Sequence, residues 1–217
     1  MPVSETMICN MALGRIGISQ QISNIDGNHS VERTCKLYYD ISREYVLGDR
    51  TWPFAQRYVD LALIEENPNE EWQFSYRYPA DTLRIDHIVV GGIDTTGTYM
   101  YPGEYRTTPT YTKGDVPEPE YTLGSDSAGK IIYTDIEDAK VKYLADITDT
   151  DLFNAHFIDA LAWRLATELA GVQTRDVAIR QAAAQQYMIA VSAANANSLN
   201  EAHATINKTS SIISAGY

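Results

Sequence analysis

The chain has 217 residues, 44% of them hydrophobic, and a formal net charge of −12. It holds no apolar run of about 18 residues, so no transmembrane helix is expected, and its opening, MPVSETMICN, lacks the basic stretch and apolar core of a secretory signal. So acidic a balance argues against a surface that grips nucleic acid, because phosphate binding needs lysine and arginine.

The size suits one large domain or two small ones. Cys9 and Cys35 fall on apolar stripes and read as buried thiols of a protein made in a reducing cytoplasm. The charge is unevenly placed. From Thr174 onward Asp176 and Glu201 face Arg175, Arg180 and Lys208, so this segment is close to neutral and the acidity lies in the body.

Residues 4–16 read as a helix. Ser4 caps it, Ile8, Ala12 and Ile16 share a face with Met7 and Met11 beside them, and Gly17 suits a left-handed stop. A polar loop over 18–29 follows. A second helix is expected over 30–48, capped by Ser30 and ended by Gly48. Its apolar stripe is Val31, Thr34, Cys35, Tyr38, Ile41 and Tyr45, with Arg33, Lys36, Asp40, Arg43 and Glu44 off it. Trp52-Pro53-Phe54 comes next. Proline forbids a continuing helix, and the two rings are expected to plug a junction between lobes, contributing about 3–6 kcal/mol on burial.

The period then changes. Residues 58–64, 73–78, 83–90, 130–134 and 141–145 alternate or run apolar between Gly and Pro, as strands of a small antiparallel region do. Within it, 91–128 is weakly patterned and rich in Gly, Pro, Thr and Tyr; its tyrosines argue for a protruding hairpin or loop. Helix returns over about 150–171, capped by Thr148 or Asp149. Phe153, Phe157, Ala160, Leu161, Arg164, Leu165 and Leu169 form its apolar face, and Gly171 stops it. Thr174 caps a last Ala-rich helix over about 175–197.

The fold class expected is α+β: an antiparallel helical bundle from the N- and C-terminal segments with an inserted small antiparallel β-lobe. The bundle takes 1–50 and 150–202, the β-rich lobe 51–149, and an extended tail 203–217.

The chemistry-bearing residues form no recognisable catalytic set. His29, His87, His156 and His203 are scattered, and neither cysteine has a partner at metal spacing. Asp146, Asp149 and Asp151 lack the glycine and distal glutamate of a calcium loop and are better read as helix caps. Gly91-Gly92 completes no phosphate-binding motif. No cofactor and no metal is expected. A hydrolase would have to bring His87 together with some of Asp86, Asp94, Glu104 and Asp115. Tyrosine is in excess, 15 residues against 4 phenylalanines, which suits either a protein interface or a half-exposed sheet.

Several blocks carry a resemblance. Ala12-Leu-Gly-Arg-Ile-Gly-Ile, Cys35-x-x-x-Tyr39-x-x-x-Arg43, Trp52-Pro-Phe-Ala, Tyr78-Pro-Ala-Asp-x-Leu83-Arg, Val141-x-Tyr143 and the run from Phe153 to Ala170 resemble, in order and spacing, the tail tubular protein A family of short-tailed phages. They lie between about residues 7 and 170. The resemblance implies a structural virion protein and not an enzyme. Such a head-to-tail adaptor, made in the host cytoplasm, forms a ring of twelve copies between the portal protein and the tail nozzle or tube, and DNA crosses its lumen as cargo during ejection. A tail terminator or stopper ring is the alternative within that class. The tail is then expected to dock on the portal or a neighbouring copy through Ile206, Lys208, Ile212, Ile213 and Tyr217, with Ile212, Ile213 and Tyr217 worth roughly 5 kcal/mol less the cost of ordering the tail.

Overall fold

A computed structural model of the chain describes residues 3–89 and 119–203, and for 197–203 the backbone alone. Four α-helices and seven strands are found among the described residues, in the order α1 (Glu5–Arg15), α2 (Ser30–Asp49), β1 (Gln56–Asp60), β2 (Leu63–Glu66), β3 (Phe74–Arg77), β4 (Thr82–Val89), β5 (Tyr121–Asp126), β6 (Gly129–Thr134), β7 (Lys140–Ala145), α3 (Ala155–Gln173) and α4 (Val177–His203). Short 3-10 turns precede β1 and α3. The chain divides into two compact units, Met1–Val46 with Thr148–Tyr217, and Leu47–Ile147.

This corrects the expected fold class. The molecule is a mixed α+β fold in which the sheets are a principal part, not a helical bundle carrying a small inserted lobe. Two strands explain the underestimate. The apolar run 58–64 breaks at Leu61-Ala62 and supplies β1 to one sheet and β2 to another. β5 lies inside 91–128, where Gly124 and scattered Thr and Ser hide the alternation.

In the helical unit, Ser4 does cap α1, accepting the Met7 N–H at 3.2 Å, and Gly17 takes the left-handed φ of +80°. Ile8, Cys9, Ala12 and Leu13 are its buried face. The loop after it is clasped by Asn10, whose side-chain amide exchanges both hydrogen bonds with the Ile22 backbone at 2.8 and 2.9 Å. Ser30 is the first residue of α2 and not its cap. Glu32 reaches back instead, accepting the His29 N–H at 2.9 Å, which is the returning half of a capping box. Gly27 lies close under that carboxylate: a Cβ there would sit 1.9 Å from Glu32 Oε2. Asp149 caps the 3-10 turn and Asn154 caps α3, accepting the Phe157 N–H at 2.8 Å. α3 continues through Gly171 to Gln173. Arg175, at φ +54°, then makes the left-handed break before α4, where glycine is the usual residue.

The β unit has two antiparallel sheets. One is three-stranded with order β1-β7-β4; the other is four-stranded with order β2-β3-β6-β5. β7 is central in the first, with Val141, Tyr143, Leu144 and Ala145 buried. β3 and β6 are central in the second, with Tyr76 and Ile132 buried. Tyr76 also donates its hydroxyl to the Ile136 carbonyl at 2.9 Å, tying its sheet to the β6–β7 connection. β5 and β6 form a tight hairpin. Asp126 accepts the Ala128 N–H at 2.8 Å and the two N–H groups of the Arg77 guanidinium at 2.9 and 2.8 Å.

Candidate partner-binding surface

The informative site is on the helical unit, where α2 turns a different face inward from the one its periodicity suggests. Cys35, Tyr39, Ser42, Arg43 and Val46 are buried. Ile41 and Tyr45, expected in the core, are 58% and 49% exposed, and Leu37 is 62% exposed. Arg43, expected on the outer face, is 3% exposed. The helix is therefore rotated by about one residue, some 100°, from the expected orientation. The apolar row 37-41-45 is left on the surface as a single seam, since residues four apart are neighbours on a helix.

The buried row is held by polar as well as apolar groups. Cys9 of α1 and Cys35 of α2 are both fully buried and share a hydrogen bond. That bond, with burial, pushes the Cys9 thiol well above its usual range and keeps it protonated. Burial also raises the Tyr39 hydroxyl, with the nearby Glu5 carboxyl adding to it. Glu5 is itself raised, by burial and then by Asp40. Arg43 lies 3.4 Å from an Asp40 oxygen and 3.8 Å from one of Glu44.

At the far end of the seam Tyr45 is clamped. The Arg164 guanidinium sits 4.1 Å from its ring centroid and pairs with Glu168 at 2.6 Å, while the Tyr187 ring of α4 lies 6.2 Å away. Arg164 was expected on an apolar face. It is half-buried because it covers an aromatic ring and has a carboxylate four residues on. Arg15 behaves alike, lying 4.3 Å over Trp163 and pairing with Asp159.

α4 adds a second surface. Ala183, Tyr187, Ala190 and Ala194 form a narrow buried row. Between Arg180 and Glu201 the helix carries no Asp, Glu, Lys or Arg. Its outer face therefore shows Ala, Gln and Ser with Met188 and Ile189 at 62% and 53% exposure. An uncharged outer face on so acidic a chain is unusual, and small residues there let another surface approach closely.

The β unit holds a cavity of about 510 Å³ lined by Leu61, Ala62, Arg77, Tyr78, Pro79 and Lys130, among others. Both of those cations are engaged, Arg77 with Asp126 and Lys130 over the Tyr78 ring at 5.1 Å. Asp60 and Thr82 also line this groove, so its wall is of mixed polarity.

The expected docking residues Ile206, Lys208, Ile212, Ile213 and Tyr217 lie outside the described residues, as do Asp94, Glu104 and Asp115. Trp52 is 1% exposed at the start of the 3-10 turn Pro53–Ala55. Its ring is 6.1 Å from that of Phe54, and the Arg50 guanidinium lies 4.6 Å from its centroid. Asp86 faces Arg84 at 3.3 Å and Lys142 at 4.0 Å. Among the described residues no three His, Cys, Asp or Glu side chains gather as a metal site.

Scanned against protein-family models the sequence finds no match, and a search of curated proteins likewise gives none. The blocks that resemble the adaptor family carry information about the core. Ala12, Leu13, Ile16, Cys35, Tyr39, Arg43, Trp52, Ala55, Val141 and Tyr143 are all buried. Leu37 and Ile41 of the exposed seam fall at unspecified positions inside the block from Cys35 to Arg43, and the uncharged face of α4 lies beyond the blocks.

Proposed function

We propose that the chain is a structural virion protein, a head-to-tail adaptor that assembles as a ring of twelve copies between portal and tail. The observation that carries the reading is the uncharged outer face of α4 with Met188 and Ile189 exposed, on a chain of net charge −12. Copies of a strongly acidic protein repel one another over most of their surface, and a long face without charge is where close approach is least opposed. A ring of more than two copies needs such a face to meet a different patch on the next copy, because a patch that meets itself closes at a pair. The resemblance over residues 7–170 supports placing that assembly between portal and tail. An acidic body also suits a conduit through which DNA slides without sticking. Within this reading the segment 203–217 supplies the portal-docking residues.

The test is genetic and biochemical. Phage lacking this protein should accumulate DNA-filled heads without tails, and adding the purified chain to those heads should restore infectious particles. A chain ending at residue 202 should fail to do so while melting as the full chain does. Complete particles formed without the protein would refute the adaptor reading. Restoration by the truncated chain would refute the docking role of the tail alone.

A further inference from the structure

We propose that Cys9 of α1 and Cys35 of α2 are a redox pair, which closes into a disulfide and staples the two helices together when the protein meets an oxidising environment. Both thiols are free and both are 0% exposed. Each is the other's hydrogen-bond partner. Sulfurs in such contact lie within a side-chain adjustment of the roughly 2.05 Å of a disulfide. The bond would close a ring of about 26 residues that holds α1, the loop after it and the start of α2. In a reducing cytoplasm the two thiols persist; outside it the bond is the stable form. The inference does not rest on the adaptor reading.

The two sulfurs take different parts. The hydrogen bond from Cys9 favours the thiolate of Cys35, while Cys9 itself is held protonated. Cys35 is therefore the attacking group and Cys9 the resolving one. The oxidant is a small-molecule disulfide. The Cys35 thiolate attacks one of its sulfurs, forming a mixed disulfide and releasing the other half as a thiolate, which takes up a proton. Cys9 then gives its proton to solvent and attacks the Cys35 sulfur, releasing the second half as a thiol. Two protein thiols are oxidised and one small disulfide is reduced to two thiols. Because neither sulfur is exposed, the reagent enters when the loop over 18–29 lifts from α1. That loop is held by the paired hydrogen bonds of Asn10 to Ile22 and by Thr6, which accepts the Ile25 N–H at 3.2 Å. Local opening of this kind costs less than global unfolding.

The test incubates the full chain with hydroxyethyl disulfide, with and without urea below the unfolding transition, and follows intact mass and non-reduced peptide maps. A product lighter by two hydrogens, with the peptides of Cys9 and Cys35 linked, is expected, and it should form faster in the urea. The linked chain should melt roughly 5–10 °C above the reduced one. Cys9→Ala should stop at a mixed disulfide on Cys35, and Cys35→Ala should react at least tenfold more slowly at Cys9. A wild-type chain that links the two cysteines only when fully unfolded, or that stops at mixed disulfides, overturns the proposal. A linked chain that melts no higher than the reduced one overturns the staple, and equal reaction rates in the two variants overturn the division of roles.

Discussion

Trp52→Ala tests the packing at the start of the β unit. The native ring is 1% exposed, so truncation removes nearly all the contact area of a side chain that buries 150–250 Å². At about 25 cal/mol per Å² the lost transfer energy is roughly 4–6 kcal/mol as an upper figure. Trp-to-Ala changes in cores fall at about 3–5 kcal/mol once partial collapse is allowed. The Arg50 guanidinium, 4.6 Å from the ring centroid and itself 9% exposed, loses its aromatic face and adds to the cost. About 4 kcal/mol is expected, or a fall in melting temperature on the order of 10–15 °C for a protein of this size. The assay is urea denaturation followed by far-UV circular dichroism, since the change removes one of three tryptophans and distorts fluorescence. Trp52→Phe, which keeps a ring under Arg50, should lose less than half as much. Phe54 is only half-buried, so Phe54→Ala should also lose less. A Trp52→Ala protein melting within a degree of wild type would refute the packing argument.

Three smaller changes probe local chemistry. Gly27→Ala should destabilise by about 1–2 kcal/mol, because the new methyl displaces Glu32 from the His29 N–H; the loss should vanish in a Glu32→Ala background, read by thermal melting. Arg175→Gly should stabilise by up to about 1 kcal/mol, since φ +54° strains any side chain with a Cβ, and an unchanged midpoint in urea would contradict this. Arg77, hydrogen-bonded twice to Asp126, holds that carboxyl well below the usual carboxylate range. Its folded pKa is depressed, so its contribution is present above the unfolded value near 4 and lost as pH falls toward the folded one. Asp126→Asn should therefore remove part of the stability loss seen on acidifying below about pH 4. Identical acid profiles for the two proteins would show that the pair contributes nothing.

Parts of this architecture are readable from sequence and others are hidden for physical reasons. The cap at Ser4 and the stop at Gly17 are local chemistry, and local chemistry is legible. The face of α2 is not, because two adjacent rows compete. Val31, Tyr38, Ile41 and Tyr45 make one apolar row. Cys35, Tyr39 and Val46 make the next, interrupted by Ser42 and Arg43, and a rule that places charge outside selects the wrong one. Arg43 is buried beside Asp40 and Glu44, a pairing that periodicity does not see. β1 and β2 read as one strand because nothing at Leu61-Ala62 announces a change of sheet. The α4 surface was visible as alanine-rich composition, but that it faces outward, with Met188 and Ile189 on it, depends on which row the tertiary fold buries.

If the chain builds a ring on a portal, as proposed, the mass of the complex shows it directly. Purified portal is mixed with a several-fold excess of the full chain, and the particles are weighed by native mass spectrometry and viewed along the axis by electron microscopy. A single heavier species is expected, one portal with a ring of about twelve added copies whose face-on views share the portal's symmetry. A portal whose mass is unchanged at high concentrations of the chain, or one that gains only scattered copies without a common axis, would contradict it.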